Sequence, residues 1–154
     1  KEDFNTKAIP NWQFSKPVGN ASADASTSFG FGAYLLMNWM NSNDVLRFTT
    51  TLDNTIDITR KKASFQLSCV KSSSMNFSFQ MISTDSNGVV GATQVNYAMG
   101  LNTETWYQVY ADFGNVFDAD FDAKHIRTIG LQFNNLGGGF GSTGCQVDTI
   151  RITE

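Results

Sequence analysis

Two alternations of apolar and polar residues, one after the other in the stretch 61–88, constrain this chain most. Ala63, Phe65, Leu67 and Cys69 alternate with Ser64, Gln66 and Ser68, and Met75, Phe77, Phe79 and Met81 then alternate with Asn76, Ser78 and Gln80. Successive side chains of a strand point to opposite faces, so each segment has one face for a core and one polar face for water or a ligand. Lys71-Ser72-Ser73-Ser74 joins the two, and Asp85-Ser86-Asn87-Gly88 closes the second with residues that tolerate positive φ. The pattern predicts an antiparallel hairpin with its polar side chains outward.

The same period recurs along the chain. Leu46, Phe48, Thr50 and Leu52 alternate with Val45, Arg47, Thr49 and Thr51, whose polar members form a strip. Tyr107, Val109, Ala111 and Phe113 alternate with Trp106, Gln108, Tyr110 and Asp112. Short strands are expected at 2–6, 11–15, 89–99, over IRTIGLQFNN and over the closing CQVDTIRI. Residues 29–40 are apolar on both parities, whereas 16–28 read as a polar loop and 53–60 as a connection. No stretch keeps helical periodicity for three turns. Strands spaced by 8–12 residues with turn signals between them predict an all-β sandwich or barrel.

A length of 154 residues fits one domain, residues 1–154, and 41% hydrophobic residues with 13 Phe can fill its core. Charged residues make up only 16% and the net charge is −3, with Ser, Thr, Asn and Gln covering the surface instead. Such a surface suits neutral, hydroxyl-rich partners. It argues against nucleic acid, whose binding draws on phosphate neutralisation. No apolar run approaches the roughly 20 residues of a membrane helix. The start at Lys1 without Met suggests a trimmed mature form or an excised module. Cys69 and Cys145 have two readings, buried free thiols or a disulfide. If the strand at 63–70 pairs antiparallel with the last strand, the two cysteines face each other. A bond would then contribute about 4 kcal/mol and imply an oxidising compartment.

Several segments, in order, resemble a known family. EDFNTKAIPNW opens the chain, ASFQLSCV and NFSFQMISTDSNG form its centre, ETWYQVYADF follows, and IRTIGLQFNN with CQVDTIRI closes it. Together they resemble jelly-roll carbohydrate-binding modules, nearest to family 11, with families 4 and 22 sharing the outline. The resemblance implies an all-β, antiparallel two-sheet β-sandwich of the galactose-binding-like jelly-roll type. It implies a noncatalytic, secreted or cell-surface monomer that binds a polysaccharide, β-glucan first, in a concave cleft and carries an appended glycoside hydrolase to it. Two positions depart from the family pattern. Val45 and Leu46 stand where family 11 has adjacent aromatics, and Asn5 stands where a glutamate follows the Phe.

Sugar recognition needs aromatic faces against the C–H faces of pyranose rings and amides, carboxylates or guanidinium groups on the hydroxyls. The candidate aromatics are Trp12, Trp39, Tyr97, Trp106 and Tyr110. The candidate polar partners are Arg47, Thr49, Thr51, Gln80, Gln132 and Asn134, of which Arg47 to Thr51 fall on the strand matching the family's cleft strand. The resemblance makes the first and last strands neighbours, which would gather Asp3, Asn5 and Asp148 around a structural Ca²⁺, with backbone carbonyls completing its shell. Asp118, Asp120 and Asp122 look like a calcium loop but lack the Gly and terminal Glu of an EF-hand, and read as a solvated acidic loop. Catalysis is poorly supported. His125 is the single histidine, the glutamates are Glu2, Glu104 and Glu154, and no nucleophile, zinc or phosphate-loop motif is present. The alternatives are a small jelly-roll polysaccharide lyase and an adhesion or structural sandwich domain without a glycan ligand.

Overall fold

Strand-forming alternation dominates the computed structural model, which describes residues 11–27, 32–71, 76–95, 106–112, 119–137 and 141–153. Its strands are β1 (Trp12–Val18), β2 (Ser22–Thr27), β3 (Ala33–Trp39), β4 (Val45–Ile56), β5 (Lys62–Lys71), β6 (Asn76–Asp85), β7 (Val90–Val95), β8 (Tyr107–Asp112), β9 (Ile126–Gly137) and β10 (Gly141–Thr153). They form two antiparallel five-stranded sheets, β1-β4-β9-β6-β7 and β2-β3-β10-β5-β8. The chain is an all-β, two-sheet jelly-roll sandwich. Leu46, Phe48, Phe79, Met81, Leu131 and Phe133 of the first sheet face Leu35, Met37, Phe65, Leu67, Val109 and Val147 of the second across one core. The predicted strand at 2–6 lies outside the described residues.

The two alternating segments are strands β5 and β6, but they do not pair as a hairpin. β5 pairs with β10 and β8 in one sheet, while β6 pairs with β9 and β7 in the other. A strand with one apolar face can bury it by facing a second sheet, and its ladder partners need not be its neighbours in sequence. Here Phe65 and Phe79 meet across the core with ring centroids 6.0 Å apart at 74°, an edge-to-face contact. Two further expectations are corrected. Part of the polar stretch 16–28 is strand β2, paired with β3 from Ser22↔Asn38 to Thr27↔Ala33. Residues 53–56 likewise extend β4. The double-sided run at 29–40 acquires a parity, with Ala33, Leu35, Met37 and Trp39 in the core and Tyr34 exposed.

The antiparallel pairing of the 63–70 strand with the last strand is present, and it sets Cys145 opposite Cys69. The two are bonded, with Cα atoms 4.1 Å apart and a sequence separation of 76. Gly130, on β9, is required by a different proximity. A Cβ there would fall on the carbonyl oxygen of Phe48 and lie 2.8 Å from the Thr49 Cα, both backbone atoms of β4. Gly130→Ala therefore forces β4 and β9 apart and is expected to cost about 2 kcal/mol, the range of an overpacked interior. A drop in the thermal midpoint checks this, and an unchanged midpoint refutes it.

Candidate functional site

The outer face of the first sheet is built in rows by its register. Ser15, Arg47, Gln132 and Gln80 lie in one row across β1, β4, β9 and β6; Val45, Asn134 and Ser78 form the row on one side, and Gln13, Thr49, Gly130 and Ile82 the row on the other. Alternation puts these residues on the face opposite Leu46, Phe48, Leu131, Phe133, Phe79 and Met81, which take the core side; of the rows, Ile82 is itself buried, at 1% exposed. Adjacent strands lie about 4.8 Å apart, so amides and guanidinium in one row reach one another.

They do so as a continuous hydrogen-bonded chain. Arg47 Nε donates to Gln132 Oε1 at 2.8 Å. Gln132 Nε2 donates to Gln80 Oε1 at 3.1 Å and to Asn134 Oδ1 at 2.9 Å, and Asn134 Nδ2 donates to Ser78 Oγ at 3.2 Å. Arginine only donates, so Gln132 turns its oxygen to Arg47 and its amide nitrogen to Gln80 and Asn134, which in turn present oxygens. The direction of the whole chain follows from its one cation. At one end of the strands the face opens into a hollow of about 350 Å³ lined by Asn43, Val45, Ser78, Gln80, Asn134, Asn135 and Leu136. Toward the other end Gln13, Thr51, Asp53 and Arg127 line a second hollow of about 570 Å³.

The predicted polar residues thus converge. Arg47, Gln80, Gln132 and Asn134 are linked directly, Thr49 is half-buried in the next row, and Thr51 is exposed toward the far hollow. The predicted aromatics do not join them. Trp12 and Trp39 are corrected to core residues: the Trp12 ring lies 5.0 Å from that of Phe48, and Trp39 is 1% exposed with its indole Nε1 donating to Thr143 Oγ1 at 3.0 Å inside the sandwich. Trp106 immediately precedes β8 and Tyr110 lies on it, in the opposite sheet, where Val109 and Ala111 point inward and Tyr110, 70% exposed, points away from the polar rows. Tyr97 lies outside the described residues. Among the described residues the outer face of the first sheet carries no aromatic side chain. Ser78 and Gly130 were not singled out in the sequence, although Ser78 shares the parity of Gln80 and could have been.

Asp3 and Asn5 also lie outside the described residues. Asp148 sits where the register of β10 shifts against β5, ahead of Thr149, whose φ of 50° is unusual for a β-branched residue. Its Oδ1 accepts the Thr149 N–H at 2.7 Å. Among the described residues no three Asp, Glu, His or Cys side chains gather as metal ligands. Asp122 serves a turn: it accepts from the Lys124 N–H at 3.0 Å and pairs with His125 Nδ1 at 2.7 Å.

Two buried carboxylates, which the sequence shows only as members of the turn motifs Asn41-Ser42-Asn43-Asp44 and Asp85-Ser86-Asn87-Gly88, brace the connections around the face. Asp44 accepts the N–H groups of Asn20, Met40 and Asn41, and Asp85 accepts those of Asn87, Val89 and Asp122. The Asp122 N–H is the largest influence on the Asp85 carboxyl; with Val89 and Asn87 it outweighs burial and holds the group below the ordinary range.

The fold so described is that of the β-sandwich carbohydrate-binding modules. No protein-family model matches the sequence, and no match is found among the curated proteins. Among solved structures, the chain is similar to a carbohydrate-binding module of the β-sandwich superfamily described for promiscuous specificity (TM-score 0.71, 14% identity), covering 99% of this chain and 60% of that one. It is similar to the family 11 module of Clostridium thermocellum in complex with a β-1,3-1,4-mixed-linked tetrasaccharide (TM-score 0.63, 18% identity, 99% and 92% covered). A family 28 module specific for non-crystalline cellulose gives a TM-score of 0.63 at 14% identity, with 99% and 92% covered. The chain spans 60% of the length of the first of these. At 14–18% identity the likeness shows a shared fold.

Proposed function

We propose that this chain is a noncatalytic module that binds a polysaccharide on the outer face of the first sheet and holds an attached polysaccharide-degrading enzyme against it. The observation that carries this reading is the directed chain from Arg47 through Gln132 to Gln80, Asn134 and Ser78, laid across three strands with hollows toward both ends. Amide and guanidinium groups held by one another are preorganised for hydroxyl-bearing ligands. Hollows at the two ends suit an internal stretch of a chain better than a chain end. The β-glucan backbone that the resemblance names is the first ligand to test. The buried Cys69–Cys145 bond supports an oxidising, extracellular setting. A structural Ca²⁺ held by Asp148 with Asp3 and Asn5 belongs to the same reading, and chelator sensitivity of the unfolding midpoint tests it.

Isothermal titration with mixed-linkage β-glucan, glucomannan and a galactan tests the function. Micromolar to millimolar binding to one of them is expected, with Gln132→Ala weakening it about tenfold, equivalent to about 1.4 kcal/mol. Trp106→Ala and Tyr110→Ala are expected to leave it unchanged, because they lie on the other sheet. Silence with every glycan would overturn the reading in favour of a sandwich domain with a protein partner.

A further inference from the structure

Arg47 is half-buried at the centre of the polar face, and among the described residues it has no ion-pair partner. In the three central rows it is the sole ionisable side chain among the described residues, between Ser15, Gln132 and Gln80 in its own row and Val45 and Thr49 on either side along β4. Its Nε is committed to Gln132, which leaves the N–H groups of both terminal nitrogens for a ligand. Burial moves the pKa of the guanidinium downward. A partly desolvated charge with no counter-ion among the described residues is costly, and a ligand anion would offset that cost.

The amides point the same way. Because Arg47 fixes the direction of the chain, Gln132 Oε1, Gln80 Oε1 and Asn134 Oδ1 are each turned to a protein donor, and the Gln80 Nε2 hydrogens remain available. The face is therefore rich in donors. A hydroxyl both donates and accepts, whereas a carboxylate or a sulfate ester only accepts and fits such a face better.

We propose that this face selects a glycan bearing an anionic substituent, a uronate carboxylate or a sulfate ester, seated on the Arg47 terminal nitrogens, with the Gln80 amide offering further donors two strands away in the same row. The proposal rests on the glycan-binding reading above and names its ligand class. Arg47 and carboxylate or sulfate oxygens form charge-assisted, bidentate contacts, so the selection comes from one residue on one charge.

The test uses matched pairs in titration calorimetry: an oligogalacturonate with its methyl-esterified form, and a sulfated galactan oligosaccharide with its desulfated form. The anionic member of one pair is expected to bind about tenfold more tightly than its neutral counterpart, and the pair that responds distinguishes carboxylate from sulfate. That advantage should shrink between about 20 mM and about 300 mM salt, and the net charge of −3 opposes nonspecific attraction. Arg47→Gln should erase the difference within the responding pair, and Arg47→Lys should keep part of it. Equal affinity within both pairs would overturn the anionic selection and leave the module reading standing. Retention of the preference in Arg47→Gln would overturn the assignment to Arg47, and absence of binding to all four probes and to neutral β-glucan would overturn both readings.

Discussion

Reduction of the Cys69–Cys145 bond is expected to lower the unfolding free energy by about 4 kcal/mol, the chain-entropy cost of releasing a loop of this length. The bond joins residues 76 apart in sequence, on two central strands of the second sheet. Both cysteines are fully buried, so reductant acts on the native protein slowly and the comparison belongs at equilibrium, in urea curves with and without a strong thiol. A loss of that size is a large part of the roughly 5–15 kcal/mol by which domains are stable. The double variant Cys69→Ala/Cys145→Ala should fall by a similar amount. Its neighbourhood includes Thr143, which pairs with Lys71 across the same ladder and accepts the Trp39 indole, so a loosened β5–β10 ladder would be seen in Trp fluorescence as well. A midpoint unmoved by reduction would mean that the β5–β10 ladder holds its register without the bond.

The period of two was enough to give the all-β class, sandwich or barrel, and the inward and outward residues of β4, β6 and β8, and hence the polar parity to which Arg47 and Gln80 belong. Alternation is local, and each of these follows from its own strand. Which strands pair is not local. β5 and β6 have the pattern of a hairpin and are adjacent in sequence, yet each finds its ladder partners elsewhere and they meet only through Phe65 and Phe79 across the core. β2 escaped notice because Ser22 to Thr27 has no large apolar residue; it is held by the ladder to β3 rather than by its own burial. Trp39 was misplaced for the opposite reason, since a strand apolar on both parities does not reveal which side faces the core. The roles of Asp44 and Asp85 were hidden because a turn motif shows near partners only, and Asn20 and Asp122 lie 24 and 37 residues away.

Asp44 carries the second large effect. Its carboxylate is 1% exposed, and Oδ2 accepts the N–H groups of Met40 at 2.9 Å and Asn41 at 2.8 Å while Oδ1 accepts that of Asn20 at 3.1 Å. Gly19, at φ 82°, brings the β1–β2 connection so close that any Cβ would strike Oδ1. The Asp44 carbonyl accepts the Asn135 N–H at 2.9 Å, so one residue ties together the β1–β2 connection, the β3–β4 turn and the end of β9 beside the polar face. Asp44→Ala leaves these N–H groups without their acceptor and is expected to cost about 3 kcal/mol. Asp44→Asn should cost nearly as much, because its amide nitrogen would face donors. The acid response follows from the same contacts. Burial alone would raise the Asp44 carboxyl, but the N–H groups of Met40, Asn41 and Asn20 outweigh it and hold the pKa below its ordinary value. A group whose pKa is lower folded than unfolded stabilises the fold fully above the unfolded value, about 4, and loses that contribution as pH falls through the folded one. Asp85 shifts in the same direction, so stability should drop steeply below pH of about 4, and Asp44→Asn should flatten part of that slope. Urea unfolding across that range decides it: a variant slope equal to that of the unsubstituted chain would show that Asp44 is not among the groups whose protonation unfolds the sandwich.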